Sequence, residues 1–334
     1  MNPRKFGFRI LIGGALLTGF ISLFLAAIHP SLPSLNSPVC FYSNQTRQDL
    51  KLIFCSAFQQ ARQSIFIDMY GMTDPDIINV LHRQALNSIP INIRYDQTAS
   101  SSKLLKKIAH CAQLQVAQTK GLMHRKIVVI DESILFLGSA NLTTASLRHH
   151  DNLVVGLYHP PLAAFIRNPQ APSFTFSIGD TQATFWLLPD LQHQALNALI
   201  SSLQRAEQSI QIAMFTFTHP KLTQTLIEAA QRGVHIQMAV DYYTAKGASK
   251  KRIEQLQQAG ITILLSQGQQ LLHHKWALID GKSLIMGSAN WTEAAFKKNE
   301  DFLLFFHTLT PPHASSINQL WNHISLESFS VEKN

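Results

Sequence analysis

Two histidine–lysine pairs are the residues of this chain whose types and spacing could do chemistry. The pattern His-x-Lys-x4-Asp occurs twice, and its members are His124, Lys126, Asp131, His273, Lys275 and Asp280. Each copy leads at the same distance into the sequence Gly-Ser-Ala-Asn, whose polar members are Ser139, Asn141, Ser288 and Asn290. Two copies in register with identical tails are far more specific than a single short match.

The spacing places an imidazole beside a cation. Side chains two residues apart on a strand project to the same face, so His124 and Lys126 lie side by side, as do His273 and Lys275. Imidazole titrates near neutral pH and can serve as nucleophile, general acid or general base. Paired histidines could instead bind zinc, but no third or fourth ligand follows at metal-site spacing, which favours chemistry without a metal.

The doubled pattern resembles the HKD motifs of the phospholipase D superfamily, over about residues 40–325. The resemblance implies an α/β fold in which a duplicated domain forms two β-sheets flanked by helices and packed about a pseudo-twofold axis. Both motifs then meet in one pocket of a phosphodiesterase. One histidine attacks phosphorus to give a phosphohistidine, and the other protonates the leaving oxygen and then activates water or an alcohol. The family tendency favours His124 as nucleophile, a choice that the residues alone do not make.

The resemblance also implies roles for the surrounding residues. Lys126 and Lys275, with Asn141 and Asn290, would hold the non-bridging oxygens and stabilise the developing charge, so no cofactor is expected. The hydroxyls of Ser139 and Ser288 would lie near the phosphate. The family's histidine-orienting carboxylates are expected at Asp151 and Glu300, which both follow Asn of the tail by ten residues. Asp131 and Asp280 end the strand away from the histidine and favour a structural role. His149, His150 and His274 have no counterpart in the other copy and are expected to be bystanders or groove residues.

The rest of the chain shows an internal duplication of one unit. Gln63–Met69 and Gln208–Met214 match at an offset of 145, and the motifs match at an offset of 149. Alternating strand-like and helix-like runs in each half predict α/β architecture. We expect a first repeat over residues 39–160 and a second over 161–334, joined near the prolines of His159–Pro172. Asp76 is expected to cap a helix.

Residues 1–38 are expected to lie outside the repeats. Ile10–Ile28 is an uncharged apolar run close to the length of a membrane-spanning helix, and Arg4, Lys5 and Arg9 precede it. An uncleaved anchor or a cleaved signal peptide would both place the body across the membrane, tethered or secreted. Cys40, Cys55 and Cys111 show no metal-ligand spacing and allow at most one disulfide.

Composition limits the classes of binding partner but does not select one of them. A hydrophobic content of 46% and a charged content of 14% exclude a disordered chain, and the net charge of +8 favours anionic partners. The N-terminal segment and the aromatic Trp276 and Trp291 favour a phospholipid or membrane surface. The basic residues Lys246, Lys250, Lys251 and Arg252 favour a nuclease acting on nucleic acid. A third alternative is a non-catalytic module that binds phosphodiesters. With both motifs in one chain, a monomer can form a complete site.

Overall fold

The computed structural model describes residues 30–267 and 270–330, and the predicted membrane segment lies outside them. Within these ranges no helix is both long and apolar enough to cross a bilayer. The strands of the first half are β1 (Val39–Tyr42), β2 (Ile65–Met69), β3 (Ile91–Tyr95), β4 (Gln113–Val116), β5 (Lys126–Ile130), β6 (Ile134–Gly138), β7 (His150–Asp151) and β8 (Val154–Tyr158). Its helices are α1 (Leu50–Gln60), α2 (Pro75–Leu86), α3 (Ser102–Leu105), α4 (Thr144–Arg148) and α5 (Pro160–Arg167).

The second half repeats this arrangement with additions at its start and end. Its strands are β9 (Ser173–Ile178), β10 (Thr181–Leu188), β11 (Ser209–Met214), β12 (His235–Val240), β13 (Thr262–Ser266), β14 (Leu271–Leu272), β15 (Lys275–Ile279), β16 (Ser283–Gly287), β17 (Asp301–Phe306) and β18 (Ser328–Ser330). Its helices are α6 (Gln194–Gln204), α7 (Pro220–Gln231), α8 (Tyr242–Lys246), α9 (Lys250–Gln258), α10 (Glu293–Lys297) and α11 (Pro311–Leu326).

Two large sheets share one central order. The first runs β1-β8-β6-β5-β2-β3-β4, and the second runs β18-β13-β12-β11-β15-β16-β17-β10-β9. The motif strands β5 and β15 are antiparallel to β2 and β11, which in turn are parallel to β3 and β12. The predicted duplicated α/β fold is therefore confirmed. The strands of the two sheets divide between Tyr158 and Ser173, and the exact domain limits stay a prediction.

The motif strands are buried on both faces because the sheets pack against each other and against helices. Ile127 and Val129 of β5 lie in the apolar core between the sheets, together with Trp276 and Leu278 of β15. The alternate residues of β5, such as Val128, join the core under the helices of the first half. Side chains alternate across a strand, so continuous apolar runs follow from this four-layer packing.

Two local expectations need correction, and the structure also gives the state of the three cysteines. The predicted linker His159–Pro172 contains α5, whose first residue is a proline with a preset helical φ. Asp74, not Asp76, caps α2 by accepting the backbone N–H groups of Asp76 and Ile77, because Pro75 fixes the first helical position. No disulfide forms among the three cysteines, all of which are free.

Candidate active site

Both motifs begin at the edge of a sheet where parallel strands end. Lys126 at the start of β5 pairs with Met69 at the end of β2, and Lys275 at the start of β15 pairs with Met214 at the end of β11. The carboxyl ends of parallel strands are the usual place for a site in α/β folds. Each histidine therefore stands on a loop that enters a buried strand.

The two halves meet at these loops and exchange backbone contacts. The His124 N–H donates to the carbonyl of Glu300 at 2.8 Å, and the His273 N–H donates to the carbonyl of Asp151 at 2.9 Å. The short strands β7 and β14 pair in parallel between the halves. The histidine loop of each half is thus fixed by the other half.

The His124 ring contacts a carboxylate of the second half. Its Nδ1 lies 2.7 Å from Asp301 Oδ1, and Asp301 is fully buried. The Ser288 hydroxyl donates to the same oxygen at 2.6 Å and accepts the Phe302 N–H at 3.0 Å. Burial alone would raise the pKa of Asp301, but His124 and Lys126 hold it below its usual value, so the carboxylate is ionised.

The His273 ring contacts an amide of the first half instead. Its Nδ1 lies 3.0 Å from Asn152 Oδ1, and the Ser139 hydroxyl donates to that oxygen at 2.9 Å. The Asn152 amide N–H groups donate to the carbonyls of Ser146 at 2.9 Å and His150 at 3.1 Å. Because carbonyls only accept hydrogen bonds, these two fix the amide with its oxygen towards His273. An amide oxygen also only accepts, so the proton is on His273 Nδ1 and Nε2 keeps its lone pair.

The expectation that Asp151 and Glu300 orient the histidine rings is wrong by one residue in each half. Glu300 pairs through its carboxylate with Arg94 and lies 3.6 Å from Arg125, and it offers His124 only its backbone carbonyl. Burial, with Glu327 and Asp241 nearby, raises the pKa of Asp151 to about 7. The repeat offset applies equally to the pair Asn152 and Asp301, so the sequence carried the signal but not the choice.

The two lysines are buried and hold the histidine loops. Lys126 Nζ donates to the carbonyl of His124 at 2.7 Å, and Lys275 Nζ donates to that of His273 at 2.8 Å. Burial lowers the pKa of Lys126 to about 7 and that of Lys275 well below its usual value. An arriving phosphodiester anion would favour the charged form of both, because an opposite charge stabilises an ammonium group.

Sequence reasoning missed an aromatic residue beside each motif. The Tyr70 ring lies 5.1 Å from the His124 ring and 5.0 Å from Lys126 Nζ. Phe215 stands at the same distances from His273 and Lys275. Tyr70 and Phe215 obey the offset of 145, so a repeat alignment carried to the end of β2 and β11 could have found them.

The tails of the motifs divide into two kinds of residue. The Asn141 and Asn290 carboxamide oxygens are buried and have no hydrogen-bond partner among the described residues. They remain candidates for substrate contact. Ser139 and Ser288 are not placed as expected, because their hydroxyls bond Asn152 and Asp301 rather than facing an open position.

A glycine opens each tail because two backbones approach closely there. A Cβ on Gly138 would lie 2.3 Å from the Leu153 carbonyl oxygen, and one on Gly287 would lie 2.3 Å from that of Phe302. Only glycine fits, and the approach brings each tail serine to the strand that carries the orienting residue.

Asp131 and Asp280 are structural, although they complete the motif. Each lies at the far end of its strand with φ near +50°. Asp131 accepts the backbone N–H groups of Arg62, Gln63 and Ser64, and Asp280 accepts the equivalent three in the second half. Burial would raise the pKa of Asp280, but these donors lower it. Asp131 and Asp280 therefore stabilise the turns that precede β2 and β11.

The three unmatched histidines differ in their surroundings. The His150 ring lies 5.9 Å from the His273 ring, and His149 is exposed. His274 is fully buried, its Nε2 lies 2.7 Å from Gln45 Oε1, and burial lowers its pKa to about 3, so it is not a groove residue. Trp276 and Trp291, which on sequence grounds favour a lipid partner, are core residues with 0% and 1% exposure.

The catalytic candidates affect each other's charge across the halves. Burial lowers the pKa of both His124 and His273, and the lysines of both motifs lower them further. Asp301 opposes this effect at His124, whereas the groups that act on His273 are lysines and histidines, which lower its pKa. The lysines therefore supply positive charge when an anionic substrate arrives, and the site holds two histidines of unequal basicity.

A family model described as "Cardiolipin synthase, PLD-like domain" matches residues 54–168 and 199–323. The chain is 30% identical over 131 residues to the mitochondrial cardiolipin hydrolase of Xenopus laevis, covering 38% of this chain and 61% of that protein. It is 35% identical over 111 residues to the human cardiolipin hydrolase, covering 33% and 43%.

Two further similarities come from a bacterial relative and a solved structure. A phospholipase D of Rickettsia typhi is 30% identical over 138 residues, covering 38% of this chain and 67% of that protein. The phosphatidylserine synthase of Haemophilus influenzae superposes with a TM-score of 0.74 over 90% of this chain and 88% of that one, at 12% identity, which shows a shared fold. The matches span 43% to 67% of the length of the curated relatives.

Proposed function

Since this chain belongs to the phospholipase D superfamily of phosphodiesterases, we propose that it cleaves phospholipid phosphodiesters through a covalent phosphohistidine. One observation carries the proposal: each catalytic histidine is oriented by a residue of the other half, through the contacts His124–Asp301 and His273–Asn152. Two oriented imidazoles flanked by buried lysines are what a two-step displacement at an anionic phosphorus needs.

The reaction proceeds in two displacements. In the first, the Nε2 lone pair of one histidine attacks phosphorus, the bond to the leaving oxygen breaks, and the other histidine gives that oxygen its Nε2 proton. In the second, the now neutral second histidine takes a proton from water or an alcohol. The oxygen so activated attacks phosphorus, the N–P bond breaks, and both histidines return to their starting protonation.

We assign the nucleophile to His273 and the general acid to His124, which reverses the expectation taken from the family tendency. The starting state needs one neutral and one protonated imidazole. Asp301 is ionised and stabilises an imidazolium at His124, whereas neutral Asn152 holds His273 with a free Nε2 lone pair. The one imidazole that starts protonated is therefore assigned to His124.

The lysines and asparagines supply the charge stabilisation. Lys126 and Lys275 begin β5 and β15 two residues after the histidines, and the side chains of Asn141 and Asn290 carry amide N–H groups that can donate to phosphate oxygens. Held ammonium and amide donors in a buried setting stabilise the charge on the non-bridging oxygens more than water does. Asp151 and Glu300 take no part in these steps and serve through their carbonyls.

A lipid substrate is favoured by the relatives and by the surface near the site. The matched relatives are named cardiolipin hydrolase and phospholipase D. At the edge where β12 and β13 end, Tyr243 is 64% exposed, Phe329 44% and Leu326 78%, and the exposed Lys246 lies beside them on α8. Aromatic and apolar side chains with lysines suit the interface of an anionic bilayer.

A paired substrate assay tests the proposal on the full chain in mixed micelles. One arm contains cardiolipin or phosphatidylcholine, and the other contains single- and double-stranded DNA and RNA. We expect lipid cleavage that His273→Ala abolishes and His149→Ala, the exposed matched control, leaves intact. Tyr243→Ser combined with Phe329→Ser should lower turnover of vesicles but not of a soluble phosphodiester. Lipid turnover that survives His273→Ala would overturn the proposal.

A nuclease of the same mechanism is the second candidate. Exposed Lys246, Lys250 and Lys251 on α8 and α9 follow β12 at the edge of the sheet that bears the site. If nucleic acid alone is cleaved, and the rate falls steeply with salt, these lysines bind the phosphate backbone and the nuclease assignment replaces the lipid one. If neither arm reacts although the protein binds phosphodiesters, the chain is a binding module.

A further inference from the structure

A cluster of two histidines and a cysteine lies outside the catalytic site. His82 belongs to α2, and His110 and Cys111 lie in the turns that follow α3. One ligand atom from each of the three lies within 4.8 Å of the others, and the two imidazole rings meet edge to face at 5.6 Å. His82 and His110 are 28 residues apart in the sequence, so a search for short local motifs does not find the cluster.

The backbone of this cluster is fixed by the core beneath it. Ile108 is fully buried, and its carbonyl accepts the N–H groups of Cys111 at 3.0 Å and Ala112 at 2.9 Å. His82 follows the buried Leu81 on a regular helix. Cys111 and His82 are half-buried, and His110 is exposed. The positions of His82 and Cys111 are therefore fixed, and the exposed His110 ring can rotate towards them.

The donor set matches a transition metal. Zinc binds imidazole nitrogen at about 2.0–2.1 Å and thiolate sulfur at about 2.3 Å, and three protein ligands with one open position are a common arrangement. Ligand atoms around such an ion stand roughly 3.3–3.8 Å apart, a separation that follows from tetrahedral geometry and those bond lengths. The cluster needs to close by about 1 Å, which a rotation of the exposed His110 ring can supply. Carboxylate-preferring Mg²⁺ and Ca²⁺ have no oxygen ligand here.

We propose that His82, His110 and Cys111 bind one zinc-type divalent ion, with the fourth position open to solvent. Binding removes the Cys111 thiol proton, so the weak contact from Sγ to the Ile108 carbonyl at 3.5 Å is exchanged for a metal–sulfur bond. The exposed cations Arg83, Lys106 and Lys107 are close along the chain. They make the affinity lower than that of a closed four-ligand structural site.

The ion would pin the irregular segment after β3 to α2. That segment begins with Ser100 and Ser101, whose contacts reach the catalytic edge: the Ser100 hydroxyl donates to the Tyr70 carbonyl at 3.1 Å, and the Ser101 N–H donates to the Met72 carbonyl at 3.1 Å. The ion shares no ligand with the histidine–lysine pairs. It stabilises the first half and takes no part in the phosphoryl chemistry.

Cobalt substitution tests the site on the full, tag-free chain after metal removal. We expect one equivalent of Co²⁺ to give a thiolate-to-cobalt charge-transfer band together with the d–d bands of tetrahedral coordination, and Zn²⁺ to displace both. Cys111→Ser should lose the charge-transfer band, and His82→Ala should weaken binding at least tenfold. Cys55→Ser is the matched control, since Cys55 is also half-buried in the first half, and it should keep the full spectrum.

Thermal unfolding gives an independent readout. Added Zn²⁺ should raise the Tm of the wild-type chain and of Cys55→Ser but not of His110→Gln, whose exposed position makes a folding defect a poor explanation for any loss. Phosphodiesterase activity should be the same in all three proteins at low temperature. The proposal is overturned if the wild-type chain shows no charge-transfer band with stoichiometric Co²⁺, or if Cys111→Ser retains it.

Discussion

The unequal partners of the two histidines predict unequal responses to removing each ring. In the assignment above, His124 protonates the leaving group and His273 carries the phosphoryl group. General acid–base catalysis contributes about 10²–10⁴-fold, so His124→Ala should lose about that factor with an alkyl leaving group. With 4-nitrophenyl as the leaving group, which departs as a stable anion, the first step should lose far less. His273→Ala should lose both steps with either substrate.

The difference in basicity can be sized from the two hydrogen bonds. A bond to a charged group contributes about 1.5–3 kcal/mol and a neutral one about 0.5–1.5 kcal/mol. The carboxylate of Asp301 should therefore stabilise the imidazolium of His124 by roughly 1–1.5 kcal/mol more than the amide of Asn152 would stabilise that of His273. That corresponds to roughly a tenfold preference for the proton to reside on His124.

A rapid-mixing assay separates the two steps. His124 also activates water in the second step, so His124→Ala with a 4-nitrophenyl phosphodiester should release one equivalent of nitrophenol per site in a burst and then turn over slowly. Quenched protein should carry the phosphoryl group on His273, which peptide mass spectrometry locates. A burst in His273→Ala but not in His124→Ala, with the label on His124, would refute the assignment.

The pH dependence of kcat/KM is a second test of which histidine is the nucleophile. Burial and the two lysines hold the pKa of His273 well below its ordinary value. The nucleophile must be neutral, so kcat/KM should keep its acidic limb below about pH 6.5, the ordinary histidine pKa. Asn152→Asp should raise that pKa, because a carboxylate stabilises the imidazolium, and should move the limb to higher pH. A variant that is merely damaged would lose rate without moving the limb.

Three further perturbations follow from the same contacts. Combining Asn152→Asp with Asp301→Asn should exchange the two roles, so the trapped phosphoryl group should move to His124, and a label that stays in place would contradict the account. Gly287→Ala forces a Cβ within 2.3 Å of a carbonyl oxygen and should lower the free energy of unfolding by about 1–3 kcal/mol in a urea titration. Asp280→Ala frees three backbone N–H groups and should cost about 1–3 kcal/mol of stability, while activity per folded molecule stays near wild type.

The sequence was sufficient for the repeat, the motif residues and the strand that begins at Lys126, because register between two copies is a strong constraint. It was not sufficient to choose between neighbours such as Glu300 and Asp301. Adjacent side chains on an extended chain point to opposite faces, and only the position of Ser288 decides which of them meets a histidine. The residue that orients each histidine also belongs to the opposite half, and comparing the two repeats with each other does not show which residues contact across the halves.

Other features escaped for different physical reasons. Strand β10 takes the place in its sheet that β1 takes in the first, but β9 at the sheet edge has no counterpart in the first sheet, so the internal comparison offered no guide to β9. The three-residue cluster at His82 is assembled from segments that only the tertiary fold brings together. On sequence grounds Trp276 favours a lipid partner, yet its position on β15 faces the core between the sheets.

Duplication explains how one fold can give its two histidines different tasks. A symmetric pair would be equal until substrate arrives, yet the reaction needs one neutral and one protonated ring from the start. Here the crossed contacts place the control of each ring in the opposite half, so a single amide in place of a carboxylate at Asn152 changes the basicity of His273 and leaves His124 as it was. The backbones of both copies, their serines and their close glycine approaches stay alike. The asymmetry in basicity therefore lies in the charge of one side chain, because Asn152 is neutral where Asp301 is ionised.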